Sequence, residues 1–555
     1  MIEKVEIYCQ NTKQTHLFEK GTSLNEIYES LDLQFPYLVV SAKVNNKTES
    51  LNYRIYGPKA VEFVDISDPS GMRTYVRSLC FVLAKSVYEI LPKVQINIEH
   101  PISKGYYCVI VGNEHVEQEM VDKIKARMQE IIDSNHPFEA VEARTEKVVA
   151  IFRRYGFEDK ALLLETQHDV YSKYYQMDGY VDYFYGSLAP SSGYLSIFDL
   201  QKYNGGLLLR IPNRERPVEL EPLINQEKMS LVYKEQLKLL NIIGLNNVGD
   251  LNKANREGYM SGVINISEAY QEKIIAKTAE QIANKFDDGV RIVLISGPSS
   301  SGKTTFRKRL EVQLYVNCIK PVGISLDDYF VDREHTPLDE KGNYDFESLY
   351  AIDIQQFNND LNALLRGETV SIPTFNFTTG RQEQKGNFLK MESDNVLVIE
   401  GIHGLNPLLT SHISNEKKFL IYVSALTSIS LDNHNWISTT DNRLIRRIVR
   451  DYRYRGYSAI DTISRWPSVR AGEERWIFPY QENADLMFNS AMLYEFAALR
   501  HYAEPILHEV PKDAPEYAEA YRLLRFLSYF NYVNDKQLPP TSLLREFMGG
   551  SSFKY

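Results

Sequence analysis

A multidomain α/β protein is the fold class that this sequence predicts, and three observations carry it. The chain has 555 residues, enough for about three or four domains. Its C-terminal half alternates apolar runs such as Val396-Leu-Val-Ile with helical stretches, the mark of a parallel sheet covered by helices. The stretch Gly297-Pro-Ser-Ser-Ser-Gly302-Lys303-Thr304 matches G-x-x-x-x-G-K-[ST]. It stands between a strand-like run at 291–296 and a helical run from Thr305.

Residues 1–65 alternate apolar and polar positions (Val5-Glu-Ile-Tyr; Tyr37-Leu-Val-Val-Ser-Ala-Lys-Val) around turn signals such as Glu19-Lys-Gly-Thr. They predict a small mixed β domain with a helix over 24–31. Residues 66–212 read as a second module, with a helix over 77–91 stopped by Pro92 and a strand at 109–111. Residues 213–288 read as a helical connector. Its clearest helix spans 264–283, with Asn265 or Ser267 as N-cap and Asp287-Asp-Gly289 as its end. Residues 289–510 form the parallel α/β region, and 511–555 are mostly helical up to Met548-Gly-Gly-Ser-Ser.

The formal net charge of -10 argues against a chain that generally binds nucleic acid or membrane surfaces. No apolar run reaches the length of a membrane span, and Met1-Ile-Glu-Lys-Val-Glu-Ile lacks a signal-peptide pattern. A cytoplasmic location is expected. Cys9, Cys80, Cys108 and Cys318 are scattered without a C-x-x-C pair and read as reduced, structural thiols.

The chemistry centres on the P-loop. Gly297 and Gly302 keep a Cβ out of the phosphate path. The amides and hydroxyls of Ser299, Ser300, Ser301, Gly302, Lys303, Thr304 and Thr305 can surround an anion. Lys303 can reach the β/γ-phosphates of ATP, and the Thr304 hydroxyl can hold Mg²⁺. Two further strands end in carboxylates: Val322-Gly-Ile-Ser325-Leu-Asp327-Asp328 and Val396-Leu-Val-Ile-Glu400. Ligands of such sheets bind at the carboxyl ends of strands. Asp327 there can take a proton from an attacking hydroxyl or help hold Mg²⁺. Glu400 can orient the metal as a Walker-B acid does. A turn or capping role is the plainer alternative for each, and His403 reads as a packed residue. In Asp441-Asn-Arg443-Leu-Ile-Arg446-Arg447-Ile-Val-Arg450-Asp451, residues Arg443, Arg447 and Arg450 share one helical face. They predict a lid that grips phosphates.

These elements, together with Ile372-Pro-Thr-Phe375-Asn-Phe377, Ile399-Glu-Gly-Ile402 and Pro479 followed by Ala484-Asp485, resemble the uridine/cytidine kinase and phosphoribulokinase family over about 290–490. The resemblance implies a P-loop kinase domain with a parallel sheet, using ATP and Mg²⁺. It implies Asp327 as general base for a nucleoside 5′-hydroxyl and Asp345 or Glu347 as holder of the ribose hydroxyls. Phe375 would stack on the base, and Arg447 and Arg450 would contact phosphates and substrate. The chain departs from the family pattern at Gly380, where a base-contacting His is expected, and at Tyr457, where a lid Arg is expected. Arg381, next to Gly380, is kept as a substrate contact.

Upstream, Gly21-Thr-Ser-Leu and Ala42-Lys-Val-Asn resemble the TGS domain, a β-grasp module. Val181-Asp-Tyr-Phe-Tyr-Gly186-Ser-Leu188-Ala-Pro190-Ser-Ser-Gly193 and Phe198-Asp-Leu resemble the α+β editing-type domain that follows TGS in threonyl-tRNA synthetases. That editing site needs two His four apart and a later Cys-x-x-x-His. Arg77, Phe81, Phe184 and Leu188 stand there instead, so no metal site is expected. His100 and Cys108 read as a surface histidine and a buried thiol. The expected partner is a small nucleoside, with a homo-oligomeric assembly. An RNA-binding regulatory NTPase, reaching tRNA or ribosome through the N-terminal half, is the rival reading.

Overall fold

The computed structural model describes residues 3–92, 94–112, 116–340 and 342–555. Met1 and Ile2 of the N-terminal pattern therefore lie outside the described residues. The first module consists of β1 (Lys4–Cys9), β2 (Gln14–Glu19), α1 (Leu24–Ser30), β3 (Val39–Val44), β4 (Lys47–Ser50) and β5 (Lys59–Asp65). Its sheet has the order β2-β1-β5-β3-β4, with β1 and β5 parallel and the other pairs antiparallel, a β-grasp arrangement. Val5, Ile7 and Cys9 alternate into a core shared with Leu24 and Ile27 of α1. Ser23 caps α1 and Glu26 returns the bond, which explains why the helix starts there.

The second module opens with α2 (Pro69–Ile90). It starts before the predicted 77 because Asp68 caps it and Pro69 takes its first turn. It is followed by β6 (Ile96–Ile102), β7 (Gly105–Ile110), α3 (Gln118–Asp133), β8 (Glu139–Arg144), α4 (Thr145–Tyr155) and α5 (Glu158–Glu165). Then come β9 (Tyr171–Met177), β10 (Tyr180–Asp182), β11 (Asp199–Tyr203) and β12 (Gly206–Arg210). Their sheets have the orders β10-β9-β8 and β11-β12-β7-β6.

Three helices follow: α6 (Glu227–Ile243), α7 (Val248–Arg256) and α8 (Met260–Asp287). Neither Asn265 nor Ser267 caps α8. The helix begins at Met260, and the Ser267 hydroxyl bonds the Val263 carbonyl from within it at 2.9 Å. Asp288 ends it as predicted, and Gly289 follows at φ +110.

The C-terminal half contains β13 (Ile292–Ser296), α9 (Lys303–Val316), β14 (Lys320–Ser325), α10 (Ile354–Leu365), β15 (Thr369–Asn376), β16 (Arg381–Lys390), β17 (Asn395–Glu400) and β18 (Lys418–Ser424). After these come α11 (Thr439–Arg455), α12 (Ala459–Trp476), β19 (Leu486–Asn489), α13 (Glu495–His508), α14 (Tyr517–Leu527) and α15 (Arg545–Met548). The sheet β14-β17-β13-β18-β19 is parallel throughout. β13 and β17 are buried along their whole length, which is why both read as unbroken apolar runs. Their carboxyl ends, with that of β14, bring the P-loop, Glu400 and Asp327 to one edge.

Buried charge ties the halves together. Lys160 Nζ lies 2.9 Å from Asp182 Oδ1 and 2.9 Å from Asp432 Oδ1, with all three side chains inaccessible to solvent. His434 Nδ1 stands 2.7 Å from the other Asp182 oxygen. Arg522 makes two 2.7 Å bonds to Asp441 at the start of α11 and also holds Glu519, which Arg73 of α2 reaches at 3.1 Å.

Candidate active site

The P-loop runs from the end of β13 into α9. Gly297 has φ +156, and a Cβ on it would come within 2.0 Å of the Val423 carbonyl oxygen. Gly302 caps α9 at φ +86, and Ser300 is also left-handed at φ +57. The loop thus keeps a shape that side chains at its glycines would break. The Ser300 and Ser301 hydroxyls are buried without a hydrogen-bond partner among the described residues. Lys303 Nζ folds back over the loop, donating to the Gly297 carbonyl at 2.9 Å and the Pro298 carbonyl at 3.1 Å.

Thr304 Oγ1 donates to Glu400 Oε2 at 3.0 Å, and Arg307 Nε holds Glu400 Oε1 at 3.1 Å. Thr304, Glu400 and Asp327 offer oxygen donors only, the kind a hard divalent cation takes. Asp327 sits in a short helical turn just past β14. No protein group donates a hydrogen bond to its carboxylate among the described residues, yet Lys303 and Arg455 act on it with favourable charge. Crowding by protein atoms raises its pKa, and the Glu400 and Asp328 charges add to that; Lys303 and Arg455 oppose it. Burial lowers the Lys303 pKa, against the Glu400, Asp327, Glu546 and Glu347 charges.

The structure separates the two candidate carboxylates. Asp345 is spent on the local turn, accepting from the Glu347 amide at 3.2 Å. Glu347 lies within electrostatic reach of Glu473, Arg447, Lys303 and Asp327. Burial, then the Glu473 charge, push its carboxyl up to about 7. Phe375 is buried edge-on against Phe330 and Phe377, with ring centroids 5.5 and 5.2 Å away, whereas Phe377 is 59% exposed. Arg381 opens β16 with an exposed guanidinium that is free of ion pairs among the described residues. Arg333 lies over Gly380 and donates to the Phe377 carbonyl at 2.7 Å.

The lid helix differs from the predicted face. Arg443 is buried and locked to Glu473 by two bonds, the second of 2.8 Å, and donates to the Ser299 carbonyl at 3.1 Å. Arg446 is likewise paired with Glu495 and reaches the Ser300 carbonyl at 3.4 Å. Both brace the loop from below and are not free to grip phosphate. Arg447 donates to Ser299 Oγ at 2.9 Å and pairs with Asp451 at 3.2 Å; Arg450 pairs with Asp451 at 2.7 Å. Burial lowers the Arg447 pKa, with Asp451 opposing. Arg455, farther along α11, directs charge at Asp327.

Sequence reasoning missed three carboxylates. Glu473 accepts from the Ser299 amide at 3.0 Å, Glu495 anchors Arg446, and Glu546 accepts from both the amide (3.2 Å) and the hydroxyl (2.7 Å) of Thr305. All three sit far along the chain from the loop in no motif, so no local signal marks them. His403 is a packed residue as expected: it is buried, and burial pushes its imidazole down to about 4.

In the second module the four substituted positions are filled. Arg77 is buried over the Tyr185 ring, Phe81 and Phe184 pack 6.3 Å apart, and Leu188 is inaccessible. Among the described residues no cluster of three His, Cys, Asp or Glu side chains occurs there; the one such cluster is Asp332, Glu334 and His335. His100 is not on the surface: it is buried, stacked 3.8 Å from Tyr233 and pushed down to about 3 by burial. Cys108 is buried as expected, and all four cysteines are free.

No helix among the described residues is long and apolar enough to cross a membrane. The threonine--tRNA ligase of Hyphomonas neptunium is 27% identical over 191 residues, 34% of this chain and 29% of the ligase. That of Clostridium kluyveri (strain ATCC 8527) is 25% identical over 190 residues, 34% of this chain and 30% of the ligase. The chain thus spans about 30% of the length of the curated relatives it matches. A solved structure described as a "Possible Uridine Kinase" from Bacillus stearothermophilus covers 38% of this chain and 97% of its own, at 16% identity and a TM-score of 0.24, too low to weigh. Residues 292–495 match the model of the phosphoribulokinase / uridine kinase family. The chain thus joins a P-loop region that matches the model of that family to an N-terminal part similar to threonine--tRNA ligases.

Proposed function

We propose that the kinase region, 289–510, transfers the terminal phosphoryl of ATP to the 5′-hydroxyl of a pyrimidine ribonucleoside, uridine or cytidine. The observation that carries this reading is Asp327. It stands at a strand end within the charge field of Lys303, with no donor among the described residues spending its oxygens. A carboxylate kept free there suits an acceptor hydroxyl, which it would orient and deprotonate. A nucleotide switch without a second substrate would use it only as a metal ligand.

The other residues take roles from their positions. The loop from Gly297 to Thr305 cradles the donor phosphates, and Lys303 exchanges its two carbonyl bonds for phosphate oxygens. Thr304, Glu400 and Asp327 would hold Mg²⁺, which supplies charge neutralisation when bound. Arg447, which bonds Ser299 of the loop, and Arg450 would turn from their shared partner Asp451 to the transferring phosphoryl. Glu347, rather than Asp345, would hold the ribose hydroxyls, since Asp345 is bonded to the turn. Phe375 with Phe377 lines the base side, and Arg381 and Arg333 stand where a base or an anionic acceptor group would be read.

The test is a panel of nucleosides and sugars with Mg·ATP, scored by ADP release and product mass. Uridine or cytidine 5′-monophosphate is the expected product. Release driven only by a sugar would move the acceptor class, and release with no acceptor dependence would sink the kinase reading. A homo-oligomer in the cytoplasm is part of this proposal. The similarity to threonine--tRNA ligases favours the rival, in which the N-terminal half binds tRNA. Tight, salt-sensitive tRNA binding by the full chain would favour it.

A further inference from the structure

The segment 538–555 lies outside the residues that match the kinase family, yet it reaches into the P-loop. The first-turn amides of a helix have no partner within it and form an anion site. α9 has no capping side chain at Gly302. Its Thr305 amide and hydroxyl are both taken by one oxygen of Glu546, at 3.2 and 2.7 Å. The Tyr555 hydroxyl stands 2.9 Å from the same Thr305 oxygen. Leu543 covers Gly302 so closely that a Cβ there would come within 2.6 Å of it. A carboxylate and an apolar side chain thus stand at the helix end where the P-loop receives the inner phosphate and the nucleoside of its ligand.

Packing puts Glu546 there. Leu543, Leu544, Phe547 and Met548 are buried around it, Arg446 lies 5.1 Å over the Phe547 ring, and Arg545 Nη2 bonds the carbonyls of Asp535 and Leu538 at 2.7 and 2.8 Å. Its charge is poorly served by comparison. Glu473 and Glu495 are each gripped by an arginine. Glu546 has no ion pair among the described residues; the Arg450 charge favours it from a distance and the Glu400 charge acts against it. One amide proton cannot serve a carboxylate and a phosphate together, and the two anions repel.

We propose that segment 538–555 is an internal competitor for the donor nucleotide: Glu546 holds the Thr305 end of the P-loop in the free protein, and a nucleoside polyphosphate must displace it to bind. The proposal rests on the reading of this P-loop as the donor site. Polyphosphate has the advantage in the exchange, since it carries more charge and meets Lys303 as well as the amides. The segment then sets the apparent affinity for nucleotide, and anything that draws it away activates the site.

The test uses the full chain. Mg·ATP is titrated by calorimetry into wild type, Glu546→Ala and Glu546→Gln, and amide hydrogen exchange is followed over residues 545–549, where the Met548 and Gly549 amides bond Leu544 and Arg545 carbonyls. Glu546→Ala is expected to bind about tenfold more tightly than wild type, the worth of a charge-assisted bond lost by the competitor. Glu546→Gln, which keeps the shape and an acceptor oxygen, should fall between. Saturating Mg·ATP should speed exchange at 545–549 in wild type. Equal or weaker binding by Glu546→Ala, or ATP that slows exchange there, overturns the proposal. If wild type binds Mg·ATP tightly and both variants match it, the competitor alone fails. If no folded variant binds Mg·ATP, the donor-site reading fails and the competitor with it.

Discussion

The Thr304 hydroxyl donates to the Glu400 carboxylate across 3.0 Å, tying the first turn of α9 to the end of β17. Arg307 holds the second oxygen at 3.1 Å, so the carboxylate is fixed in orientation as well as position. Glu400→Gln keeps the shape and an acceptor for Thr304 but removes the charge a hard cation needs. The Mg²⁺ concentration for half-maximal turnover should rise, and kcat should fall by about 10²-fold. Activity against Mg²⁺ at fixed ATP checks this. Wild-type metal dependence in the variant would remove Glu400 from the site.

Lys303 and Asp327 make separable predictions. Among the described residues Lys303 bonds only loop carbonyls, so Lys303→Ala takes little from the core while removing the cation aimed at the phosphates. Turnover should drop about 10³-fold or more, with thermal unfolding near that of wild type. Asp327→Asn should lower kcat by about 10²–10⁴-fold with the KM for ATP nearly unchanged, because a general base acts after binding. Steady-state kinetics on both substrates distinguish the two. Near-full activity in either variant would refute the mechanism.

The parts of the site that were legible in the sequence are those set by neighbouring residues. The P-loop, Asp327 and Glu400 each close a strand whose apolar run is visible, so the fold of the parallel sheet delivers them together. Arg443 was misread because helical spacing shows which arginines share a face but not what covers it. Glu473, which buries Arg443, lies 30 residues later on another helix. The same holds for Glu546 on Thr305, separated by 241 residues. The choice between Asp345 and Glu347 also needed the structure, since two carboxylates two residues apart look alike until one caps the turn. The α2 start was missed although Asp68-Pro69 is a readable cap, because the apolar spacing beyond 77 dominated the pattern.

Lys160 tests how firmly the two halves are joined. Its ammonium neutralises Asp182 and Asp432, 272 residues beyond it, in a region without solvent. Removing it leaves two buried carboxylates with one histidine between them. Lys160→Met should therefore cost about 3–5 kcal/mol of stability, the penalty for stranding a buried charge. Chemical denaturation followed by tryptophan fluorescence measures it, since Trp436 and Trp466 both lie beyond the Asp432 side of the contact. A loss below about 1 kcal/mol would mean that water reaches the cluster and that the halves are loosely held.

Glu347 predicts a pH dependence with a defined sign. Its carboxyl is pushed up to about 7 in the folded protein, by burial first and then by Glu473. A raised acid pKa means that its contribution is fully present below the ordinary carboxylate range and is lost as pH rises through about 7. Wild type should thus be more stable at pH 5 than at pH 8 by an amount that Glu347→Gln abolishes. With allowance for its partial exposure, that difference is about 1–2 kcal/mol. Urea denaturation of both proteins at the two pH values reads it directly. The variant should match wild type at pH 5 and exceed it at pH 8. Identical pH slopes would show that Glu347 is already ionised at pH 5, with Arg447 and Lys303 outweighing its burial. In that case it would meet the acceptor only as a hydrogen-bond acceptor.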